Sequence, residues 1–329
     1  MSVKKKLDTL NKVLVNYSIK KGYFSKKTNK QLVVIMYHGI DMVQSTRYNP
    51  RFFSKDNFEE QVALLKKHTN VLTHEDFIAG NLSTDKVNVV ITFDDGYLNN
   101  YTYALPILDK YNTHAYFFIT GMDSHPQKVL WADAADVASK HGKEHSKITL
   151  SGIEYELIGG NFINKERNLE VKSVIEASNK SGYAEKAAFV DQMLQIYDFG
   201  KNKELDDYWK LMNEDNIRQT SQSNNITIGS HGFYHNDLGS LELPDAKAEV
   251  LQSKNYLENI IQKEVNTIAF PNGSYTNALN DTVYDLGLKT QFLVFHKYPE
   301  SRKKAHIYDR LGLYPYMGNS HEILHQIIK

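Results

Sequence analysis

The stretch Val87-Asn88-Val89-Val90-Ile91-Thr92-Phe93-Asp94-Asp95-Gly96 decides the fold of this chain. Its first seven residues are mostly apolar and β-branched, and a block of this length is typical of a buried strand. Asp94, Asp95 and Gly96 follow at once, so the strand is expected to end in a polar turn. Because ligand sites in α/β sheets form at the carboxyl ends of the strands, the stretch predicts a strand that delivers two carboxylates to such a site.

Six other segments share this apolar character, and helical patterns lie between several of them. The six segments are Leu32 to Tyr37, Ala115 to Ile119, Ile226 to Gly229, Thr267 to Phe270, Gln291 to Phe295 and Ile307 to Leu313. Helices are predicted in four places: after Ser54, after Thr73, around Leu98 to Tyr111, and near Pro244 to Gln262. Alternating strands and helices predict an α/β domain in which helices cover a parallel sheet.

Two regions stand outside this alternation. Residues 1–29 are basic and are predicted to form a helical extension, whereas residues 30–329 form one domain, because no repeat or low-complexity linker divides them. Between about residues 130 and 220 the alternation weakens, although Ile153 to Leu157 alternates like an exposed hairpin strand. We interpret this region as an insertion that shapes the cleft and governs substrate choice. Trp131-Ala132-Asp133 opens it and is a candidate substrate contact, with a place in the core as the alternative.

The composition excludes several classes of function. Lys and Arg together number 39, as do Asp and Glu, so the chain lacks the basic excess of a typical nucleic-acid binder. The lysines between Lys4 and Lys27 are explained more simply by a solvated helix. No cysteine is present, which excludes disulfides and thiolate ligands, so any bound metal has to use His, Asp or Glu.

No segment has the length and apolarity of a secretory signal or a membrane span. The one apolar run near the start is Val13-Leu14-Val15, which Asn16 interrupts. We therefore expect a cytoplasmic protein without a transmembrane segment.

Polar groups end four of the predicted strands, which places them together at one edge of the sheet. These groups are His38, Asp94-Asp95-Gly96, Ser230-His231 through His235, and Pro271-Asn272-Gly273. The four-residue spacing of His231 and His235 predicts two imidazoles on one face of a helical turn, which suits a divalent metal. One carboxylate and two histidines leave open metal positions for water and substrate, and the other aspartate can take a proton. Taken alone, the aspartates suit an ordinary turn, and the histidine pair can arise by chance among 13 histidines.

The segments Ile91 to Gly96 and His231-Gly232-Phe233-Tyr234-His235 resemble the motifs of the polysaccharide deacetylases, a group of carbohydrate esterases. The resemblance extends to Met36-Tyr37-His38, to Phe270 through Tyr275, and to the helix that carries Glu249, Ser253 and Lys254. It covers roughly residues 30–125 and 205–315 and leaves the middle insertion unmatched. It implies a single distorted (β/α) barrel of about seven units.

The resemblance also assigns roles to individual residues. Asp95, His231 and His235 match the metal ligands of the family, and Asp94 matches its catalytic base. Asn272 follows the proline of its motif, where the backbone N–H of the family helps to hold the oxyanion. Zinc is the expected metal, although two histidines and a carboxylate also accept cobalt, nickel or iron.

The sequence departs from the family pattern at three places. Phe270-Pro271 lacks the arginine that usually orients the base, and Arg310 is our candidate substitute, with a salt bridge at the barrel end as the alternative. Gly232 replaces the usual Ser or Thr, which removes a hydroxyl near the ligands but no ligand. The late histidine motif is not matched convincingly at Leu324-His325. Instead, His38 resembles the subgroup in which this histidine lies on the amino-terminal strand, where it protonates the leaving amine; a buried histidine bonded to backbone is the alternative.

The resemblance therefore implies a metal-dependent hydrolase that removes an acetyl group from an N-acetylated saccharide, either a surface polysaccharide or its precursor. Two alternatives remain open at this stage. One is a deacylase of another amide or an ester, and the other is a catalytically silent sugar-binding protein of the same fold. The presence of Asp94 argues against the silent protein, since a pure binder needs no unliganded carboxylate beside a metal.

Overall fold

The structure, a computed structural model, describes residues 32–42, 49–150, 152–164, 166, 169–170, 182–201 and 203–328. Within these ranges the strands are β1 (Leu32–Tyr37), β2 (Ile40–Asp41), β3 (Phe53–Ser54), β4 (Asn70–Val71), β5 (Asn88–Phe93), β6 (Ala115–Ile119), β7 (Lys147–Leu150), β8 (Ile153–Ile158), β9 (Asn161–Asn164), β10 (Leu169–Glu170), β11 (Ile226–Ser230), β12 (Thr267–Ala269), β13 (Thr290–Phe292), β14 (Ile307–Tyr308) and β15 (Leu311–Gly312). The α-helices are α1 (Lys55–His68), α2 (His74–Ala79), α3 (Leu105–Lys110), α4 (Trp131–His141), α5 (Tyr183–Ile196), α6 (Glu214–Thr220), α7 (Leu243–Ile261), α8 (Asn277–Asp285) and α9 (Ser320–Ile328). The predicted basic extension lies outside the described residues.

The main sheet is parallel throughout and curls on itself. Its strand order is β14-β13-β12-β11-β6-β5-β1-β15, with β4 paired to the start of β5. The two edge strands, β14 and β15, are separated in the chain only by Asp309 and Arg310. The sheet must therefore curl until its edges nearly meet, which confirms the predicted α/β class and the distorted barrel.

Apolar residues on both faces of the sheet explain why its strands consist of continuous apolar runs. All six residues of β5 are buried. Neighbouring residues of one strand enter different clusters: Ile91 packs with residues of the covering helices, whereas Val90 packs with the inward-facing Tyr116, Phe118 and Phe292. Parallel strands covered on both faces are expected to show this pattern.

Some predicted boundaries are wrong. The segment from Gln291 is a strand only to Phe292, and the run from Ile307 divides into β14 and β15. The predicted helix near Leu98 is α-helical at residues 98–99, passes through a π-helical stretch at Asn100–Ala104, and continues as α3. Pro106 explains this irregular stretch, because proline lacks the N–H that a continuous α-helix would need at that position.

Two helices of the barrel, α1 and α2, begin where the sequence carries capping residues. The hydroxyl of Ser54 accepts a hydrogen bond from the N–H of Asn57 at the start of α1, and the hydroxyl of Thr73 accepts one from the N–H of Asp76 at the start of α2. Both contacts satisfy an N–H that has no partner within the helix, which agrees with the predicted helix starts.

The region from about residue 130 has a sheet and a core of its own. Strands β7 to β10 form an antiparallel sheet in the order β10-β9-β8-β7. Strand β8, which contains the predicted strand Ile153 to Leu157, is paired on both sides, and its residues Tyr155 and Leu157 are buried in a second apolar cluster with side chains of α4 and α5. Among the described residues, no helix is both long and apolar enough to cross a membrane.

Candidate active site

Five charged or titratable residues at the carboxyl edge of the barrel are brought together by backbone pairing. The amide of Asp94 donates to the carbonyl of Tyr37 at the end of β1, and the amide of His231 donates to the carbonyl of Ile119 at the end of β6. These bonds extend the parallel ladders by one step and place Asp94, Asp95 and His231 side by side. His38 follows β1 directly, and Arg310 bridges β14 and β15. All five are buried.

Asp95, His231 and His235 form a compact group of possible metal ligands. The Oδ1 atom of Asp95 lies 3.4 Å from Nε2 of His231 and 3.2 Å from Nε2 of His235. The three ligand atoms lie within 4.8 Å of one another, and all three residues are buried. Two imidazole nitrogens and one carboxylate oxygen are a common ligand set of catalytic zinc sites, in which further positions stay open for water and substrate.

The hydrogen bonds of His231 show that the group of Asp95, His231 and His235 suits a cation. Its Nδ1 atom lies 2.8 Å from the carbonyl oxygen of Ala269, and because a carbonyl only accepts, Nδ1 carries the hydrogen. In the neutral ring the Nε2 lone pair then faces the carboxylate of Asp95, and two such atoms require a proton or a metal ion between them. Burial opposes a charge on His231 most strongly, but the carboxylates of Asp94 and Asp95 outweigh it and raise its pKa. A metal ion can replace the proton that this environment favours.

The segment that carries both histidines is a loop, so the predicted helical turn is wrong. Gly232 has φ of +70° and His235 has φ of +56°, and both values lie in the left-handed region. A side chain at Gly232 would be strained there, and its Cβ would approach the Glu249 carboxylate to 3.1 Å. Glu249 of α7 holds the loop by accepting hydrogen bonds from the N–H of Tyr234 at 3.0 Å and from Nδ2 of Asn236 at 2.8 Å. Loop anchoring, not helical spacing, therefore positions the two imidazoles.

Asp94 is held by Arg310 in a two-point ion pair. The two terminal nitrogens of the guanidinium lie 2.6 and 2.8 Å from the two oxygens of Asp94, and its Nε donates to the carbonyl of Leu293 at 3.1 Å. Burial alone would raise the pKa of Asp94, but Arg310 and His231 outweigh it and hold the pKa below its usual value. Asp94 is therefore an oriented carboxylate, with Oδ2 at 3.8 Å from Nε2 of His231.

The two histidines that compete for the role of acid lie in different surroundings. His38 is buried, and its Nδ1 has no hydrogen-bond partner in the described part of the chain. Burial lowers the pKa of His38 to about 3, assisted by the positive charge of Arg51, although Asp95 and Asp94 oppose the shift. His325 is exposed on α9, whose buried side packs against α1.

Asn272 lies in the turn Pro271–Gly273 that follows β12. Its φ of +54° is unusual for a residue with a side chain, and its Nδ2 atom donates to Asp237 Oδ1 at 2.6 Å. The side chain is thus tied to a residue two positions after His235. This tie fixes the turn against the histidine loop.

Arg51, Tyr97 and Asp133 form a chain of contacts that begins at Asp95, and of these only Asp133 was named from the sequence, within a candidate substrate contact. Arg51 places a terminal nitrogen 3.5 Å from Asp95 Oδ2, and its other terminal nitrogen contacts the hydroxyl of Tyr97 at 3.1 Å and Asp133 Oδ1 at 3.7 Å. Tyr97 also donates to Asp133, and burial raises the pKa of Asp133 to about 8 although Arg51 opposes the shift. Trp131, considered as a substrate contact, is instead a buried residue of the second core.

Three comparisons with known proteins agree with one another. A family model described as polysaccharide deacetylase matches residues 81–180 and 189–291. The protein YxkH of Bacillus subtilis (strain 168), which carries the same family name, is 30% identical over 136 residues, which are 39% of this chain and 46% of that protein. The chain thus spans about half the length of this curated relative.

Solved structures resemble the fold at low sequence identity. A Streptococcus pyogenes deacetylase, PplD, in complex with acetate has a TM-score of 0.53 at 18% identity, over 91% of this chain and 98% of that one. IcaB from Ammonifex degensii has the same TM-score at 15% identity and the same coverage. A de-N-acetylase from Aggregatibacter actinomycetemcomitans has a TM-score of 0.52 at 16% identity, over 90% of this chain and 99% of that one.

Proposed function

The chain belongs to the polysaccharide deacetylase family, and from this premise we propose that it hydrolyses the acetamido group of an N-acetylated saccharide with the help of a divalent metal. The observation that supports a metal is the orientation of the His231 ring. Its Nδ1–H donates to the Ala269 carbonyl, so its Nε2 atom faces the Asp95 carboxylate. The proposal that the substrate is a saccharide rests on the family and on the names of the similar proteins.

Asp95, His231 and His235 would hold the metal. When bound there, a divalent ion would supply polarisation of the acetyl carbonyl and a lower pKa of water, which is the chemistry that amide hydrolysis needs near neutral pH. Zinc suits this ligand set best, and cobalt, nickel or iron can also use two imidazoles and a carboxylate.

Asp94 is proposed as the base that takes a proton from the attacking water. Its carboxylate is buried beside the ligand group, and Arg310 fixes both of its oxygens. The same ion pair lowers its pKa, so Asp94 stays ionised even in mildly acidic solution. A base with a lowered pKa is intrinsically weak, so its efficiency depends on its position and on a low pKa of the attacking water.

His38 is proposed as the group that passes a proton to the departing amine. Because its pKa is lowered to about 3, it is neutral at pH 7 before substrate binds. It therefore has to gain its proton during the reaction, and the proton that Asp94 removes from water is the nearest source. The unpartnered Nδ1 of His38 leaves one ring nitrogen free for this exchange.

Asn272 is proposed as a donor to the oxygen that becomes negative when water attacks the carbonyl. Its backbone has positive φ, a conformation that costs free energy and that surrounding contacts must maintain. The side-chain bond from Asn272 to Asp237 supplies such a contact. A backbone N–H positioned in this way typically contributes a few kcal/mol to the transition state.

Acetate release measured together with metal analysis tests the proposed function. The protein is stripped with a chelator, reloaded separately with zinc, cobalt, nickel or iron, and assayed on acetylated oligosaccharides, acetylated amines and acetate esters. We expect acetate from the oligosaccharides only after a metal is returned. Acetate from esters alone would favour a general deacylase, and metal-loaded protein that binds sugar without releasing acetate would favour the silent binder.

A further inference from the structure

The two oxygens of Asp95 have separate partners. Oδ1 faces the two ligand histidines, whereas Oδ2 faces the guanidinium of Arg51 at 3.5 Å. This distance is long for a charge-assisted hydrogen bond, which is typically about 2.8 Å. Arg51 therefore lies close to the possible metal ligands but does not form a short hydrogen bond with Asp95.

Arg51 is held at this distance by its other contacts. The side-chain oxygen of Asn49 accepts from the backbone N–H of Arg51 at 3.0 Å and from its Nε at 3.2 Å. These bonds fix the Nε end of the guanidinium. On the far side, the guanidinium contacts the hydroxyl of Tyr97 and the carboxylate of Asp133. Asp133 is only 3% exposed, and it belongs to α4 outside the barrel strands.

The charges around Arg51 make its position consequential. A cation between Asp95 and the histidines has to share the Asp95 carboxylate with a positive guanidinium. Two positive charges on one carboxylate repel each other, and in a buried site water screens this repulsion only weakly. A second carboxylate that draws the guanidinium away from Asp95 removes the competition.

We propose that Asp133 is a positioning residue for metal binding, because it shares the charge of Arg51 and so leaves the Asp95 carboxylate available to the metal. This inference rests on the proposed metal site. It gives the region beyond residue 130 a part in the chemistry of the barrel, although that region was expected only to select substrate. Residues that support metal ligands in this way commonly change metal affinity by 10- to 100-fold.

The test measures Zn²⁺ affinity by competition with a chromogenic chelator at pH 8.5, above the pKa of about 8 that burial gives Asp133. Asp133→Asn keeps the shape and can still accept from Tyr97, but it loses the charge. We expect it to bind Zn²⁺ about 10-fold or more weakly than the wild type. Asp198→Asn, an exposed residue in the turn after α5 whose oxygen accepts from the N–H of Gly200, is the control and should bind like the wild type.

Removal of Arg51 separates this role from a loss of packing. If Asp133 acts through Arg51, adding Asp133→Asn to Arg51→Met should change Zn²⁺ affinity by less than about twofold, since coupled residues are not additive. Should Asp133→Asn fail to fold, Tyr97→Phe removes the hydroxyl between Arg51 and Asp133 and is expected to weaken Zn²⁺ binding in the same direction.

The outcomes distinguish this inference from the proposed function. An unchanged affinity in Asp133→Asn, or an equal loss in the Arg51→Met background, would overturn the role of Asp133 while the metal site stands. If Asp133→Asn does not fold, an unchanged Zn²⁺ affinity in Tyr97→Phe would likewise overturn the role of Asp133. A wild-type protein that binds no Zn²⁺, cobalt, nickel or iron would overturn the proposed metal site and this inference together.

Discussion

The barrel and the region of β7 to β10 bury their strands in opposite ways. Every residue of β5 is buried, because the parallel sheet has apolar residues on both faces. In β8 burial alternates, and Tyr155 and Leu157 turn toward α4 and α5 while their neighbours are partly exposed. The first sheet has helices on its outer face and its own inward side chains in the barrel interior, whereas the second covers one side of a small core.

This difference determines which sheet can gather a ligand set. Parallel strands all present their carboxyl ends at one end of the barrel, so Asp94 and Asp95, which follow β5, meet His231, which follows β11. Antiparallel strands present their carboxyl ends alternately at two edges and cannot do so. The second region accordingly reaches the site through a helix residue, Asp133, and through an intermediate, Arg51.

The largest effect is expected from the barrel histidines. His231→Ala or His235→Ala should lose bound metal and lower the turnover number by about 1000-fold or more, because two protein ligands rarely hold a catalytic ion and the lost stabilisation amounts to several kcal/mol. Metal content and acetate release are measured on the same samples. His145→Ala, an exposed histidine beside β7, is the control and should change neither. Full metal occupancy in His231→Ala would show that the ligand set is wrong.

Asp94→Asn is expected to retain the metal while the turnover number falls by about 100-fold or more, the usual scale for a general base. Asn keeps the size of the side chain and can still accept from Arg310 through its oxygen, so the fold should survive. Asp198→Asn again serves as the control from outside the barrel. Near-normal turnover in Asp94→Asn would remove Asp94 from the mechanism.

His38→Ala is expected to lower the turnover number by about 100-fold with the metal retained, whereas His325→Ala should alter stability slightly and turnover hardly at all. An acid acts in its protonated form, which free His38 loses as the pH rises through its pKa of about 3. Because His38 instead gains its proton from Asp94 during each turnover, the loss of kcat in His38→Ala should be of similar size at every pH from about 6 to about 9, which a pH profile of kcat measures. A silent His38 with an essential His325 would reverse the assignment.

Arg310→Lys should have a smaller effect, about 10-fold on kcat/KM, because lysine keeps the charge but cannot hold both oxygens of Asp94. Arg310 lowers the pKa of Asp94, so the weaker pair should let that pKa rise. The base form is present above the pKa, and the acid limb of the kcat/KM profile should therefore move to higher pH. Arg302→Lys, an exposed arginine near β14, is the control, and an unmoved acid limb in Arg310→Lys would contradict the pairing role.

Much of the barrel was predictable because one local signal accompanies each strand. An apolar run that ends in polar residues identifies β1, β5 and β11, and the shared edge of parallel strands then groups the polar residues behind them. The conformation of the 231–235 loop was not predictable in the same way. Its left-handed residues depend on Glu249, which is distant in sequence.

Arg51 was missed for a related reason, and Asp133 was considered only as part of a candidate substrate contact. Arg51 lies in a short turn after Asn49, and Asp133 lies in the first turn of a helix, so neither follows a strand. Two helices of the second core, α4 and α5, also lack a side-chain cap. Leu130 precedes α4 and Gly182 precedes α5, and neither provides a side-chain cap, whereas Ser54 caps the barrel helix α1.

The smallest effect tests this difference in helix starts. Gly182 has φ of −64° and is exposed, and within the part of the chain that the structure describes no atom lies within 4 Å of the place where a Cβ would lie, so Gly182→Ser fits without strain there. Serine adds an oxygen that can accept from the first turn of α5 and reduces the freedom of the unfolded chain. We expect the free energy of unfolding to rise by about 0.5 kcal/mol, measured by urea denaturation with an unchanged m-value. Gly182→Ala reduces the same freedom without the oxygen and should stabilise less. Equal stability in the two variants would show that α5 gains nothing from a side-chain cap, and that tertiary packing determines where the helix begins.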